Sequence, residues 1–203
     1  MDDLYTVVMH DVKNQLAELA QRLRERGDAQ QEMSIAMNAS RRLTEMLLLK
    51  RDESERLWVY ADSVNPADFL EILASEYSEL FPAIAIHVDV AYAPACAFFD
   101  ETLVRMALGN ALHNACRYAR AQIQLLAFER HGMLILQVGD DGPGFTENLL
   151  STGGKIPAAA SASGTGLGLY LAHKIAALHT LQGQHGYIEL SNAPGGQFRM
   201  ILP

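Results

Sequence analysis

Between residues 3 and 25 the apolar side chains fall at Leu4, Val8, Val12, Leu16, Leu19 and Leu23, spacings of three and four that place them on one face of an α-helix. Arg26-Gly27-Asp28 interrupts the pattern, with Gly27 suited to a C-terminal cap and Asp28 to an N-cap. A second helix is expected over about 29–53, with Met33, Met37, Leu43, Met46 and Leu47 facing inward. Two helices joined by so short a turn form an antiparallel hairpin. A lone hairpin leaves its apolar stripe in water. Two copies side by side bury it in a four-helix bundle, so the pattern predicts a homodimer.

Downstream the period changes. Leu57-Trp58-Val59-Tyr60 reads as a short strand, and Asn65-Pro66 opens a helix whose apolar face is Phe69, Leu70, Leu73 and Tyr77. Alternation over 84–90 predicts a half-buried strand. Asp100 is placed to cap a helix that runs to about residue 119, and 123–128 and 133–138 are strands around the turn Glu129-Arg130-His131-Gly132. Residues 146–163, rich in Gly, Ala and Ser, read as a long functional or mobile loop. A helix over about 166–180 follows, then strands over 186–191 and 197–202 joined by Asn192-Ala193-Pro194-Gly195-Gly196. The expected fold class is α+β: a helical hairpin over 1–55, then a domain over 56–203 in which helices cover one face of a mixed sheet.

The length of 203 residues suits a small helical element plus one domain. Hydrophobic residues make up 49% of the chain, enough for a real core. The formal charge is −8 and no basic run occurs, which argues against nucleic-acid binding. A basic partner surface or a metal–nucleotide complex is compatible with it. Two cysteines, Cys96 and Cys116, do not make a disulfide framework and fit a reducing compartment. The start, Met1-Asp2-Asp3-Leu4-Tyr5, lacks a basic segment and apolar stretch, and no apolar run approaches the roughly 20 residues of a membrane span. A soluble, cytoplasmic protein is expected, one that takes any input through a separate sensor protein.

Four patches carry candidate chemistry, three of them in the second half of the chain. Asn110 and Asn114 lie one turn apart on a helix, with Arg117 and Tyr118 following. Amides can ligate a magnesium ion or bond phosphates without adding negative charge, Arg117 can neutralise phosphate, and Tyr118 can lie against a base. The same residues also suit the solvent face of an ordinary amphipathic helix. Asp140 ends an apolar strand just before Gly142 and Gly144. A carboxylate there can accept from an exocyclic amine, and the glycines let the backbone turn sharply, although Asp and Gly are common in any such turn. Gly164, Gly166 and Gly168 precede a helix, where freed N–H groups and the helix dipole favour an anion. They follow a loop rather than a strand, without a βαβ unit, which argues against a dinucleotide site, and no Gly-Lys-Ser/Thr ending makes a P-loop. Far upstream, Asp11 adjoins His10 and can polarise its imidazole, and Asn14 lies one turn on. An exposed helical histidine with no role is the plain alternative. No spacing suggests a zinc site.

Taken in order, these residues resemble the core of a sensor histidine kinase. Asn110 to Asn114 with Arg117 and Tyr118 resembles the N box, Asp140 to Gly144 the G1 box, and Gly164 to Gly168 the G2 box. The tail from Gly186 to Pro203 resembles the last strands, and His10-Asp11 with Asn14 resembles the H box. The resemblance implies a Bergerat (GHKL) α/β sandwich, shared with gyrase, Hsp90 and MutL, that binds ATP with Mg2+. By it, Asn114 is the magnesium ligand, Asn110 contacts the phosphate–metal region, Arg117 meets phosphate, Tyr118 flanks the adenine and Asp140 reads its amine. His10 is the phosphorylated residue, Asp11 the general base, and Asn14 supports phosphatase activity toward a response-regulator receiver domain. His113, His173 and His179 are weaker candidates.

Asn110 stands where the related ATPases carry a glutamate that activates water, and an amide is no base at neutral pH. Departures from the pattern are Gln15 in place of the usual proline after Asn14, only nine residues before His10, and a loop whose one basic residue is Lys155. Two other readings stand beside the kinase: a histidine phosphotransfer protein whose kinase-like domain no longer binds ATP, and a serine kinase of the anti-sigma type. Residues 1–53 argue against the latter, which needs no phosphoacceptor hairpin.

Overall fold

The structure, a computed structural model, describes residues 58–153 and 167–203. Nearer the N-terminus it describes only 12, 14–19, 21–23, 32, 35, 36, 39, 43 and 44. The chain divides into two units, Met1–Leu57 and Trp58–Pro203. All the described positions of the first are helical; Ala36 is buried, Leu16, Leu23 and Leu43 are half-buried, and Val12, Leu19 and Ile35 are exposed. His10, Asp11 and most of the expected hairpin lie outside the described residues. Asn14 is helical and exposed.

The second unit opens on β1 (Asp62–Val64), α1 (Pro66–Leu80), β2 (Ala85–Tyr92) and β3 (Ala97–Phe99). It continues through α2 (Glu101–Tyr118), β4 (Gln122–Arg130), β5 (Met133–Asp140) and α3 (Glu147–Ser151). Then come α4 (Leu167–Leu178), the paired strands β6 (Thr180–Leu181) and β7 (Gln184–His185), β8 (Tyr187–Asn192) and β9 (Gly196–Leu202). The main sheet has the order β2-β4-β5-β9-β8, with β2 parallel to β4 and every other pair antiparallel. It is the mixed sheet that the sequence led us to expect.

Alternation along the strands decides which face is covered. Ile123, Leu125 and Ala127 of β4 are buried, in register with Val138 and Leu136 of β5 and, across β9, with Phe198 and Met200. Onto this face pack α1, α2 and α4, contributing Phe69, Leu70 and Leu73, then Leu103, Val104, Leu108 and Leu112, then Leu171, Ala172 and Ile175. Each such Leu, Ile, Val or Phe side chain contributes about 1.5–3 kcal/mol when fully buried. The other face carries a polar chain: Arg199 Nε donates to Gln137 Oε1 (2.7 Å), and Gln137 Nε2 donates to Gln197 Oε1 (2.7 Å).

The helices begin where local chemistry directs. Asn65 Oδ1 accepts from Ala67 N at 2.9 Å, with Pro66 in the first turn where no amide donor is needed. Asp100 caps α2 by accepting from Leu103 N (3.0 Å), while its other oxygen accepts from Tyr60 N (3.0 Å). Three differences from the expected elements stand out. Residues 58–60 are not a strand; the strand lies at Asp62–Val64, paired with Ala97–Phe99. The loop after Phe145 contains α3, and the β6–β7 ribbon stands between α4 and β8.

Candidate functional site

α2 carries the asparagines. Its apolar positions face the sheet, which turns Asn110 inward, 2% exposed, and leaves Asn114, Arg117 and Tyr118 exposed. Asn110 sits against α4: a Cβ built on Gly168 would come 3.5 Å from both Asn110 Cβ and Nδ2. Helix packing thus brings the first of the asparagines to the last of the three glycines. Gly164 and Gly166 lie outside the described residues. The Arg117 guanidinium stands 5.7 Å from the Tyr118 ring centroid, a cation–π contact on the last turn.

Asp140 arrives on the last residue of β5, and its Oδ1 accepts from Gly142 N (2.7 Å) and Gly196 N (3.4 Å). Oδ2 faces Gly196, where a Cβ would come within 2.6 Å of it. Gly142 lies so close to the end of α2 that a Cβ would meet Tyr118 O at 2.4 Å. The glycine after Asp140 and Asp141 is therefore required by close approach to the helix that carries Asn110 and Asn114. Asp141 reaches the same junction: its carboxylate accepts from Arg120 N (2.7 Å), Ala121 N (3.1 and 3.2 Å) and Gln122 N (3.3 Å). Desolvation acts to raise its pKa, but these backbone donors outweigh it and hold the carboxyl below its ordinary value.

The β8–β9 turn closes on the Asp140–Gly144 turn from the other side. Asn192 Oδ1 accepts from Phe145 N and Asn192 Nδ2 donates to Phe145 O, both at 2.8 Å. Gly144 has φ +78°, and a side chain there would strike Asn192. A Cβ on Gly195 would lie 2.0 Å from Asp140 O. Sequence reasoning treated residues 192–196 only as a connector. A pair of glycines ahead of a buried strand was the one local sign that backbones approach here.

The weaker histidine candidates have structural partners. His113 is buried, edge-on to Phe81 at 5.5 Å between centroids. His179 Nδ1 donates to Ile175 O (2.8 Å), and its Nε2 accepts from Asp100 N (3.0 Å). Burial lowers its pKa, against the opposing pull of the Ile175 carbonyl and the Asp100 charge. His173 Nε2 bonds Gly153 O at 2.6 Å, tying α4 to the chain two residues beyond α3.

Residues 99–203 match the family described as "Histidine kinase-, DNA gyrase B-, and HSP90-like ATPase". The chain belongs to this family. Among curated proteins, it is 36% identical over 106 residues to the sensor protein kinase CarS of Pseudomonas aeruginosa, covering 50% of this chain and 22% of CarS. It is 27% identical over 171 residues to the sensor protein kinase PmrB of the same organism, covering 79% of this chain and 35% of PmrB. The chain therefore spans well under half the length of these relatives. In fold it is similar to full-length ShkA in complex with AMPPNP, with a TM-score of 0.69 at 19% identity over 98% of this chain and 44% of that one. It is also similar to the catalytic domain of histidine kinase ThkA, with a TM-score of 0.62 at 21% identity over 71% and 97%. The resemblance to a histidine kinase core, first drawn from the motifs, is upheld by these matches, as is the α+β ATPase fold.

The residues present suit a nucleotide with a hard cation. Asp140 offers an acceptor-only oxygen that no side chain at 196 covers. Among the described residues no group of three or more His, Cys, Asp or Glu could hold a metal by itself. Mg2+ is characteristically held by few protein ligands together with substrate phosphates, and amide oxygens such as that of Asn114 meet that description. No described helix is long and apolar enough to cross a membrane.

Proposed function

We propose that this chain is an ATP-dependent protein histidine kinase that phosphorylates His10 and passes the phosphoryl group to an aspartate of a response-regulator receiver domain. The observation that carries the reading is the pairing of Asp140 with Gly196. The carboxylate is held by Gly142 N and Gly196 N through one oxygen, and its second oxygen meets a glycine rather than a side chain. That arrangement suits an acceptor for the adenine amine. Asn110 against Gly168 supports it further, because it sets an amide beside the start of a helix, where phosphates are favoured.

In the proposed reaction a ring nitrogen of His10 attacks the γ-phosphorus of ATP. A new N–P bond forms, the bond from the γ-phosphorus to the bridging oxygen breaks, and ADP leaves with that electron pair. Asp11 takes the ring proton, or holds it while the other nitrogen attacks. Asn114 would hold Mg2+, which would supply positive charge to the phosphate oxygens as the transfer proceeds. Arg117 meets the phosphates and Tyr118 flanks the base. Because Asn110 is an amide, it does not activate water, so bound ATP is spared for transfer. Asn14, exposed on its helix, would orient water toward a partner's acyl phosphate, which would give a phosphatase activity. Val12 and Leu19 are exposed in the single chain, apolar surface that the proposed homodimer would cover.

The test is incubation with γ-labelled ATP and Mg2+, beside His10→Ala. Acid-labile label on the parent alone is expected. Label retained by His10→Ala means that another residue accepts it. No label, with no nucleotide binding, refutes the kinase reading and favours the phosphotransfer alternative, for which a phosphorylated receiver domain is the next reagent.

A further inference from the structure

We infer that Asn192 is a positioning residue for the base end of the nucleotide site, an inference that rests on the ATP-binding reading above. Its side chain does what a neighbouring strand would do. One amide accepts from Phe145 N and donates to Phe145 O, at 2.8 Å each, across 47 positions of sequence. A planar amide making both bonds to one residue fixes that residue in two directions at once, as a β-bridge does.

The residue it grips is the one that follows Gly144, whose φ of +78° puts the chain in the left-handed region. Asn192 itself lies at the end of β8, held in the sheet by its pairing with Gly196. From there the turn doubles back, with Ala193 N bonded to Gly195 O (3.0 Å), until Gly195 touches the Asp140 carbonyl and Gly196 faces the Asp140 carboxylate. The Asp140–Phe145 segment is thus held at its first residue by β9 and at its last by Asn192. Removing the Asn192 amide frees the far end. Gly142 and Gly144 can then adopt other conformations, since glycine resists few. The Gly142 N bond that orients Asp140 Oδ1 loosens with them.

Asn192 is exposed, and its backbone stays in the sheet if the side chain is cut. Its truncation should therefore move ligand affinity more than stability. Positioning at the base end also implies that adenosine and Mg-ADP lose affinity by the same factor, because the phosphates are not involved.

The experiment measures binding of adenosine and Mg-ADP to the whole chain by calorimetry, with melting of the ligand-free protein, for the parent, Asn192→Ala and Asn192→Asp. Amide exchange at Phe145 N reports the brace without any ligand. The expected result for Asn192→Ala is loss of Phe145 protection and a roughly tenfold weaker Kd for both ligands, equivalent to about 1.4 kcal/mol, with a melting temperature near the parent's. Asn192→Asp keeps the acceptor and loses the donor, so its Kd should fall between the two; if Asn192→Ala does not fold, this variant decides. Unchanged affinity in either folded variant overturns the inference, as does a melting loss with no change in Kd. Absence of nucleotide binding by the parent overturns the ATP-binding reading and this inference together, whereas normal parent binding with unchanged variants overturns this inference alone.

Discussion

Gly196→Ala tests the proposed adenine contact at its narrowest point. The new methyl carbon would lie 2.6 Å from Asp140 Oδ2, where real Cβ atoms essentially never approach below 3.0 Å. Gly196 has no positive φ, so alanine fits the backbone there and the effect is one of contact alone. Two responses are open. Rotating the carboxylate away sacrifices the 2.7 Å bond from Gly142 N and the 3.4 Å bond from Gly196 N. Holding it in place leaves the methyl group covering Oδ2. Either way the ligand amine loses a hydrogen bond to a charged acceptor, worth about 1.5–3 kcal/mol, or roughly 10- to 150-fold in Kd. The free protein should lose no more than about 1–3 kcal/mol, the usual range for an added methylene in a packed site. Calorimetric titration with Mg-ADP, at a temperature where the variant is folded by circular dichroism, reads the first quantity, and urea unfolding reads the second. An affinity within threefold of the parent's would refute the assignment of Oδ2 as the reader of the base.

Two further outcomes follow from buried groups outside the contact surface. Burial pushes the Cys116 thiol up to about 12, whereas Cys96 is exposed, so iodoacetamide at pH 8 should alkylate Cys96 in the folded protein and reach Cys116 only after unfolding; comparable rates at the two sites would contradict the placement of Cys116. His179 has its folded pKa lowered from 6.5 by burial, so the unfolded chain binds its proton first as pH falls. Its contribution to stability is complete above 6.5 and is lost as pH drops from there toward the lower folded value. The pH-dependence of urea midpoints between pH 7.5 and 5.5 should be shallower in His179→Gln than in the parent, and identical slopes would rule the linkage out.

Elements with a long, clean period are legible in the sequence itself. Asn65-Pro66 announced α1, and the alternation over 84–90 announced β2, because local chemistry and packing agree at those places. Leu57-Trp58-Val59-Tyr60 misled, since apolar content does not choose a partner. The strand actually paired, Asp62–Val64, is polar, and its mate Ala97–Phe99 is only three residues long. α3 is five residues, too short to show a period, and Thr146 makes no side-chain cap bond there. The β6–β7 ribbon turns on Gln182 and Gly183, both at positive φ, and a glutamine is not a residue that announces such a turn. In the site, Asn110, Asp140 and Gly168 could be named because motif spacing is local. The Asn192 brace could not, because it joins residues far apart in sequence and shows only once the sheet brings them together.

The adjacent carboxylates Asp140 and Asp141 show what the fold adds to a motif. The sequence singled out Asp140 and gave Asp141 no role. Both are anchored by backbone donors, but they are spent differently. Asp141 accepts through both oxygens from the turn that joins α2 to β4. It has no oxygen left for a base, and its charge serves to hold the end of the asparagine helix against the glycine turn. Asp140 engages its donors through Oδ1, and its Oδ2 points to Gly196, which carries no side chain. Exchanging their chemistry should therefore have opposite signatures. Asp140→Asn turns one acceptor into a donor facing the ligand amine, which weakens nucleotide binding with little change in melting. Asp141→Asn keeps one acceptor, loses the second and removes the charge that four backbone contacts favour, which lowers melting and affects binding only through the fold. If Asp141→Asn weakened binding at unchanged stability while Asp140→Asn did not, the two roles would be reversed.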